Sequence, residues 1–92
     1  MNIHAGDSVT LKSLKDVMQL YNDCKFLENS FGKSLIADNT YFSPYMLDAL
    51  GTSEVYRVER VDGTDFVITI DGNSYLFDKK CIKDVYKLVK VN

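Results

Sequence analysis

The residues best suited to chemistry are few in this chain of 92 amino acids. Gly32-Lys33-Ser34 resembles the end of a phosphate-binding loop. That loop requires a further glycine five residues earlier, so that backbone N–H groups can cradle the phosphates. Leu27 stands there instead, which excludes nucleotide hydrolysis by this route. His4 is the one histidine, and it could pair with Cys24 or Cys81 as base and nucleophile. The packing reading is preferred: Cys24 falls at the end of an expected amphipathic helix and Cys81 beside Ile82, while His4 lies close to the chain start. Neither thiol has a second soft ligand at zinc spacing, and no metal or cofactor is expected. The 13 carboxylates are spread singly. Asp7, Asp16, Asp62, Asp71 and Asp78 fall where turns and helix caps call for aspartate. No catalytic constellation emerges, and a non-enzymatic protein is expected.

Charge and aromatic content are more informative. The net charge is only −2. It conceals an asymmetry: Lys79, Lys80, Lys83, Lys87 and Lys90 face only Asp84 in the last stretch, whereas acids outnumber bases two to one before it. A lysine-rich edge of this kind can meet phosphate or an acidic protein, or protect an edge strand from pairing. Six tyrosines and five phenylalanines are more rings than so small a core can enclose. Phe42, Phe66 and Phe77 suit the core, and Tyr41, Tyr45 and Tyr86 are assigned to the surface, where tyrosine makes a favoured interface anchor.

The elements that must carry these residues can be followed along the chain. Val9 and Leu11 alternate with Ser8, Thr10 and Lys12 as in a half-buried strand. Ser13 and Asp16 form a variant capping box ahead of Leu14, Val17, Met18 and Tyr21, the apolar face of a helix reaching about residue 22. From Asn22 to Tyr41 the pattern decays and assigns no element. Ser43-Pro44 starts a second helix through Met46, Leu47 and Leu50, which Gly51 ends. Asp62-Gly63 and Asp71-Gly72 are hairpin signals between apolar runs. Asp78 caps one turn, and Val85, Lys87 and Val89 alternate in a closing strand. No linker or repeat divides residues 1–92, so one domain is expected. The pattern predicts a mainly β, α+β fold: a small antiparallel barrel of about five strands with a helical insertion over residues 13–51.

Gly6-Asp7-Ser8-Val9-Thr10-Leu11 is similar to the opening strand of SH3-like barrels of the KOW and Tudor sort. With the aromatic Tyr41-Phe42-Ser43 and the helix end from Met46 to Gly51, the chain resembles small phage-encoded proteins of that fold. The resemblance implies a phage protein that binds and inhibits a host protein, in anti-defence or host takeover. The contact face expected for it combines Tyr41, Tyr45, Arg57, Lys79, Lys83, Tyr86 and Lys87. One alternative is a nucleic-acid-binding module, with Arg57 and the C-terminal lysines on phosphates and Tyr75 or Tyr86 stacked on a base. Another is an assembly subunit, which would form a stable homo-oligomer. The chain start shows neither a charged leader nor an apolar export segment, and no apolar run approaches the roughly 20 residues that span a bilayer. A cytoplasmic protein without a membrane partner is therefore expected.

Overall fold

The computed structural model describes residues 2–89 and residue 91. Eight strands and two short helices follow in the order β1 (Ser8–Leu11), α1 (Leu14–Met18), β2 (Cys24–Asn29), β3 (Gly32–Ala37), β4 (Thr40–Phe42), α2 (Pro44–Ala49), β5 (Tyr56–Asp62), β6 (Asp65–Ile70), β7 (Asn73–Asp78) and β8 (Ile82–Tyr86). A single 3-10 turn, Lys79–Cys81, precedes β8.

The strands form two antiparallel sheets, one of five strands in the order β7-β6-β5-β1-β8 and one of three in the order β2-β3-β4. The expectation of one closed barrel is therefore corrected: β7 and β8 are unpaired edges, and a second sheet stands beside the first. The helical insertion is corrected too. Residues 13–51 contain three strands and only an α-helix of five residues and another of six.

The reason lies in residues 19–42. After α1 the chain tightens, with Leu20 N–H donating to the Val17 carbonyl at 3.0 Å and Tyr21 N–H to that of Met18 at 3.3 Å. The backbone N–H groups of Asn22 and Asp23 then donate to the Asp38 carboxylate at 3.3 and 2.8 Å, and Asp38 N–H returns to the Asp23 carbonyl at 2.7 Å. Asp38, in the left-handed region at φ 53°, thus terminates the helix and opens the small sheet in one contact. Strand pairing takes over: Asn29 faces Gly32 across the turn residues Ser30 and Phe31, and Ala37 faces Thr40 across Asp38 and Asn39. Cys24 accordingly begins a strand rather than closing a helix.

Phe42 locks the two sheets together. It pairs across the small sheet with Leu35, both fully buried. Its ring lies 6.3 Å from that of Phe77 on β7 and 6.0 Å, edge-on, from Tyr21. Phe77 stacks in turn on its cross-strand partner Phe66 at 5.9 Å. The small sheet therefore covers the apolar face that a closing barrel would have buried against itself. Bulges after Thr10 and after Val58 bend the large sheet.

Gly51 illustrates how closely the elements approach. It sits at φ 70°, and a Cβ there would come 3.0 Å from the Ser13 Cα. Gly51→Ala is expected to cost about 1–3 kcal/mol, read from urea unfolding, because strain and the Ser13 backbone act together.

The segment before β1 is tied to the segment after β8. Lys87 Nζ donates to Asp7 Oδ2 at 2.7 Å, and His4 N–H donates to the same oxygen at 2.9 Å. These two bonds, that of Lys87 first, hold the Asp7 carboxyl below its ordinary range. A lowered folded value stabilises the fold above about pH 4, and the contribution is lost as pH falls through that folded value. Lys87→Ala is expected to return Asp7 towards the ordinary range, measured by NMR titration of its carboxyl carbon.

The closing strand ends at Tyr86, so Lys87, Leu88 and Val89, expected within it, lie beyond its ladder. Lys90 lies outside the described residues. Among the described residues no helix is long and apolar enough to cross a membrane.

Candidate functional site

Helix α2 places the first part of the site. Ser43 Oγ accepts from Met46 N–H at 3.3 Å, and Pro44 occupies the first turn, where its missing N–H costs nothing. Met46 and Ala49 are buried, so Tyr45 and Asp48, each one residue before them, turn outward. Tyr45 is 58% exposed, yet its ring centroid lies only 6.4 Å from that of Tyr75 on β7, the planes tilted by 33°. Such a pair is geometrically suited to burying a partner's side chain along its free faces.

The Tyr45–Tyr75 contact joins two grooves. One of about 430 Å³ runs between β7 and β4, lined by Tyr41, Tyr75 and Leu76, with Asp65 and Asp78 at its end. Those two carboxylates are cross-strand neighbours on β6 and β7. The other, of about 420 Å³, lies beside Tyr45 and Tyr56 and carries Asp48, Glu54 and Asp71. The Tyr56 hydroxyl donates to Glu54 at 2.7 Å, and burial followed by that carboxylate raises its pKa. Among the described residues, five carboxylates and no lysine or arginine line the two grooves. The arrangement is a tyrosine surface with an acidic rim, a combination that attracts cations both by charge and through the ring faces.

The seven residues expected to form one contact face are divided by the topology. Tyr41 and Tyr45 belong to the surface just described. Arg57 and Tyr86 lie on either side of Ser8 across β5, β1 and β8, so they share one face of the large sheet. Arg57 also lines a separate depression with Gly6, Glu59 and Thr69. Lys83 and Tyr86 line another with Thr10 and Asp84. Lys87 is committed to Asp7. Lys79 is half-buried in the 3-10 turn, and its N–H donates to the Thr64 carbonyl at 2.9 Å. In strand order, β7 with Tyr75 and β8 with Lys83 and Tyr86 are the opposite edges of the sheet.

No family model, curated protein or solved structure matches the chain. The functional reading rests on the chemistry of the site itself.

Tyr75, Leu76 and the acidic rim are the residues that sequence reasoning did not assign to the contact face. Of these acids the sequence explains Asp71 and Asp78 by a turn and a cap, and Asp78 does serve there: its Oδ1 accepts from Lys80 N–H at 2.8 Å. Asp48, Glu54 and Asp65 carry no such signal. Their convergence along β7 depends on the two hairpins around β6, which send Asp65 to one end of the strand and Asp71 to the other. The Asp62-Gly63 and Asp71-Gly72 signals carried that information only in combination with the docking of α2.

The cysteines have structural surroundings. Cys81 is fully buried, and burial, with the Asp78 carboxylate nearby, pushes its thiol up to about 11. A protonated, enclosed thiol is a poor nucleophile. Burial likewise pushes the neighbouring Tyr21 up to about 12. The Cys24 thiol faces the Met18 carbonyl at 3.6 Å. Glu59 receives the hydroxyls of Thr69 and Ser74, which hold its carboxyl below the ordinary range. Among the described residues no group of three His, Cys, Asp or Glu side chains is placed to hold a metal ion.

Proposed function

We propose that this is a binding protein whose principal contact surface is the acid-rimmed tyrosine face of β4, α2 and β7, and that its partner is a protein presenting a basic segment. The observation that carries this reading is the contact of exposed Tyr45 with half-buried Tyr75, which joins two grooves that, among the described residues, five carboxylates and no basic residue line. Tyrosines supply apolar area at small entropic cost, and the carboxylates select the sign of the partner's charge. A phage inhibitor acting on a host protein is the biological form implied by the sequence resemblance, and steric occupation through this face would suffice for it.

Affinity capture from bacterial lysate tests the reading when the wild-type chain is compared with Asp65→Lys/Asp71→Lys. A stoichiometric protein recovered by the wild type, released by salt and lost with the charge-reversed variant, is expected. Recovery of no protein by the wild type, or equal recovery by both, contradicts it.

A second reading has one specific observation in its favour: Arg57 and Tyr86 flank Ser8 on a shared face, with Lys83 further along β8. A cation beside an exposed ring is the minimal platform for single-stranded nucleic acid. Salt-sensitive RNA binding abolished by Arg57→Ala and Tyr86→Ala would promote it over the first.

A further inference from the structure

The outer edge of the small sheet is left open. β2 runs six residues with no proline and no break in its register with β3. Among the described residues no strand pairs with its other side. Phe26 and Leu27 are 43% and 50% exposed, and Phe31 at the turn is 88% exposed. Lys33 Nζ lies 5.2 Å over the Phe26 ring, ordering that side chain on its face of the sheet. Long, flat, apolar edges are ordinarily blunted in monomeric proteins, because their free N–H and C=O groups template pairing.

The free groups on β2 can be named. The Asp23 carbonyl accepts from Asp38 N–H, and the Leu27 carbonyl from the Ser34 hydroxyl at 3.4 Å, so the odd-numbered residues turn their backbone towards β3. By the alternation of an antiparallel ladder, the N–H and C=O groups of Cys24, Phe26 and Glu28 point outward.

We infer that β2 pairs with β2 of a second copy of this chain, antiparallel about a two-fold axis, with Phe26 opposite Phe26 of the second copy. The two small sheets then become one continuous sheet across the dimer. A two-fold axis normal to the sheet keeps each side chain on its own face, so only residues of equal parity can face each other. Centring on Lys25 or on Glu28 sets like charges directly opposite, which is destabilising. Centring on Leu27 carries Cys24 past the strand end, opposite Ser30 in the turn. Centring on Phe26 sets Cys24 against Glu28, Phe26 against itself and Lys25 against Leu27. Every outward backbone group of β2 then has a partner, and no like charges meet.

Sedimentation equilibrium of the full chain between about 10 and 500 micromolar, with residue-resolved amide exchange, tests the inference. A monomer–dimer equilibrium is expected, in which exchange at Phe26 and Glu28 slows in step with the dimer fraction. Phe26→Lys is expected to weaken the dimer more than about tenfold while circular dichroism is unchanged. Phe31→Ser, outside the paired stretch, is expected to leave it intact. A monomer at every concentration, a dimer with freely exchanging Phe26 and Glu28 amides, or a dimer indifferent to Phe26→Lys would overturn the inference. Because β2 shares no residue with the tyrosine face, either proposal can fail alone.

Discussion

Phe42→Ala is expected to destabilise the protein by about 3–5 kcal/mol, the range for truncating a fully buried phenylalanine. Phe42 is completely enclosed and sits where the sheets meet, paired with Leu35 in one and in contact with Phe77 of the other. A cavity there cannot be filled from one side without shifting the other, so little relaxation is available. Against the roughly 5–15 kcal/mol typical of a whole domain, the loss leaves a marginal fold. Urea unfolding followed by tyrosine fluorescence measures it, and a loss under about 1 kcal/mol would show that Phe42 does not couple the sheets. The effect should spread to the functional face, since β4 carries both Phe42 and Tyr41.

Truncation of Tyr45 and Tyr75 together is expected to weaken the protein partner by at least about 2 kcal/mol, or roughly thirtyfold, as interface anchors of this type do. Alanine at Tyr45 alone leaves Tyr75 free to turn towards a ligand, so the double variant is the clearer test. Tyr45 is mostly exposed, so stability should change little there, whereas Tyr75 packs partly against the core. Unfolding of each single variant separates the two effects. Calorimetric titration of the captured partner gives the affinity, and binding by the double variant within about threefold of wild type would remove the tyrosine pair from the interface.

The parts of the fold legible in the sequence are those written by local chemistry. Ser13 and Ser43 cap helices, Asp62-Gly63 and Asp71-Gly72 turn hairpins, and Asp78 caps the turn before the last strand. The stretch from Asn22 to Tyr41 is illegible for a physical reason. On β2, Phe26 and Leu27 are adjacent and both exposed, so neither face is wholly apolar and the period-two signal vanishes. The turn Ser30-Phe31 lacks the residues that announce a hairpin, and the contact that ends α1 comes from Asp38, 15 and 16 residues beyond the amides it binds. An unforeseen sheet also removed the need for closure: once Phe42 covers Phe77, β7 and β8 need not meet. The exposure of Tyr41 and Tyr45 follows from the surplus of rings, but Tyr75 and its carboxylate neighbours become a site only because α2, docked on β3, β4 and β6, brings Tyr45 against Tyr75. Of the lysines expected beside the tyrosines, Lys83 lies on the opposite edge and Lys87 just beyond it, because β8 pairs with β1, while Lys79 is held in the turn that follows β7.

Site-specific photocrosslinking tests the tyrosine face most directly. A photoreactive phenylalanine analogue is placed in turn at Tyr41, at Tyr45 and at Tyr86, and each chain is irradiated with the captured partner. Crosslinks from the first two positions, mapping to a lysine- or arginine-rich stretch of the partner, and none from Tyr86, are predicted. Crosslinks from Tyr86 alone would contradict the account and move the contact to the β8 edge.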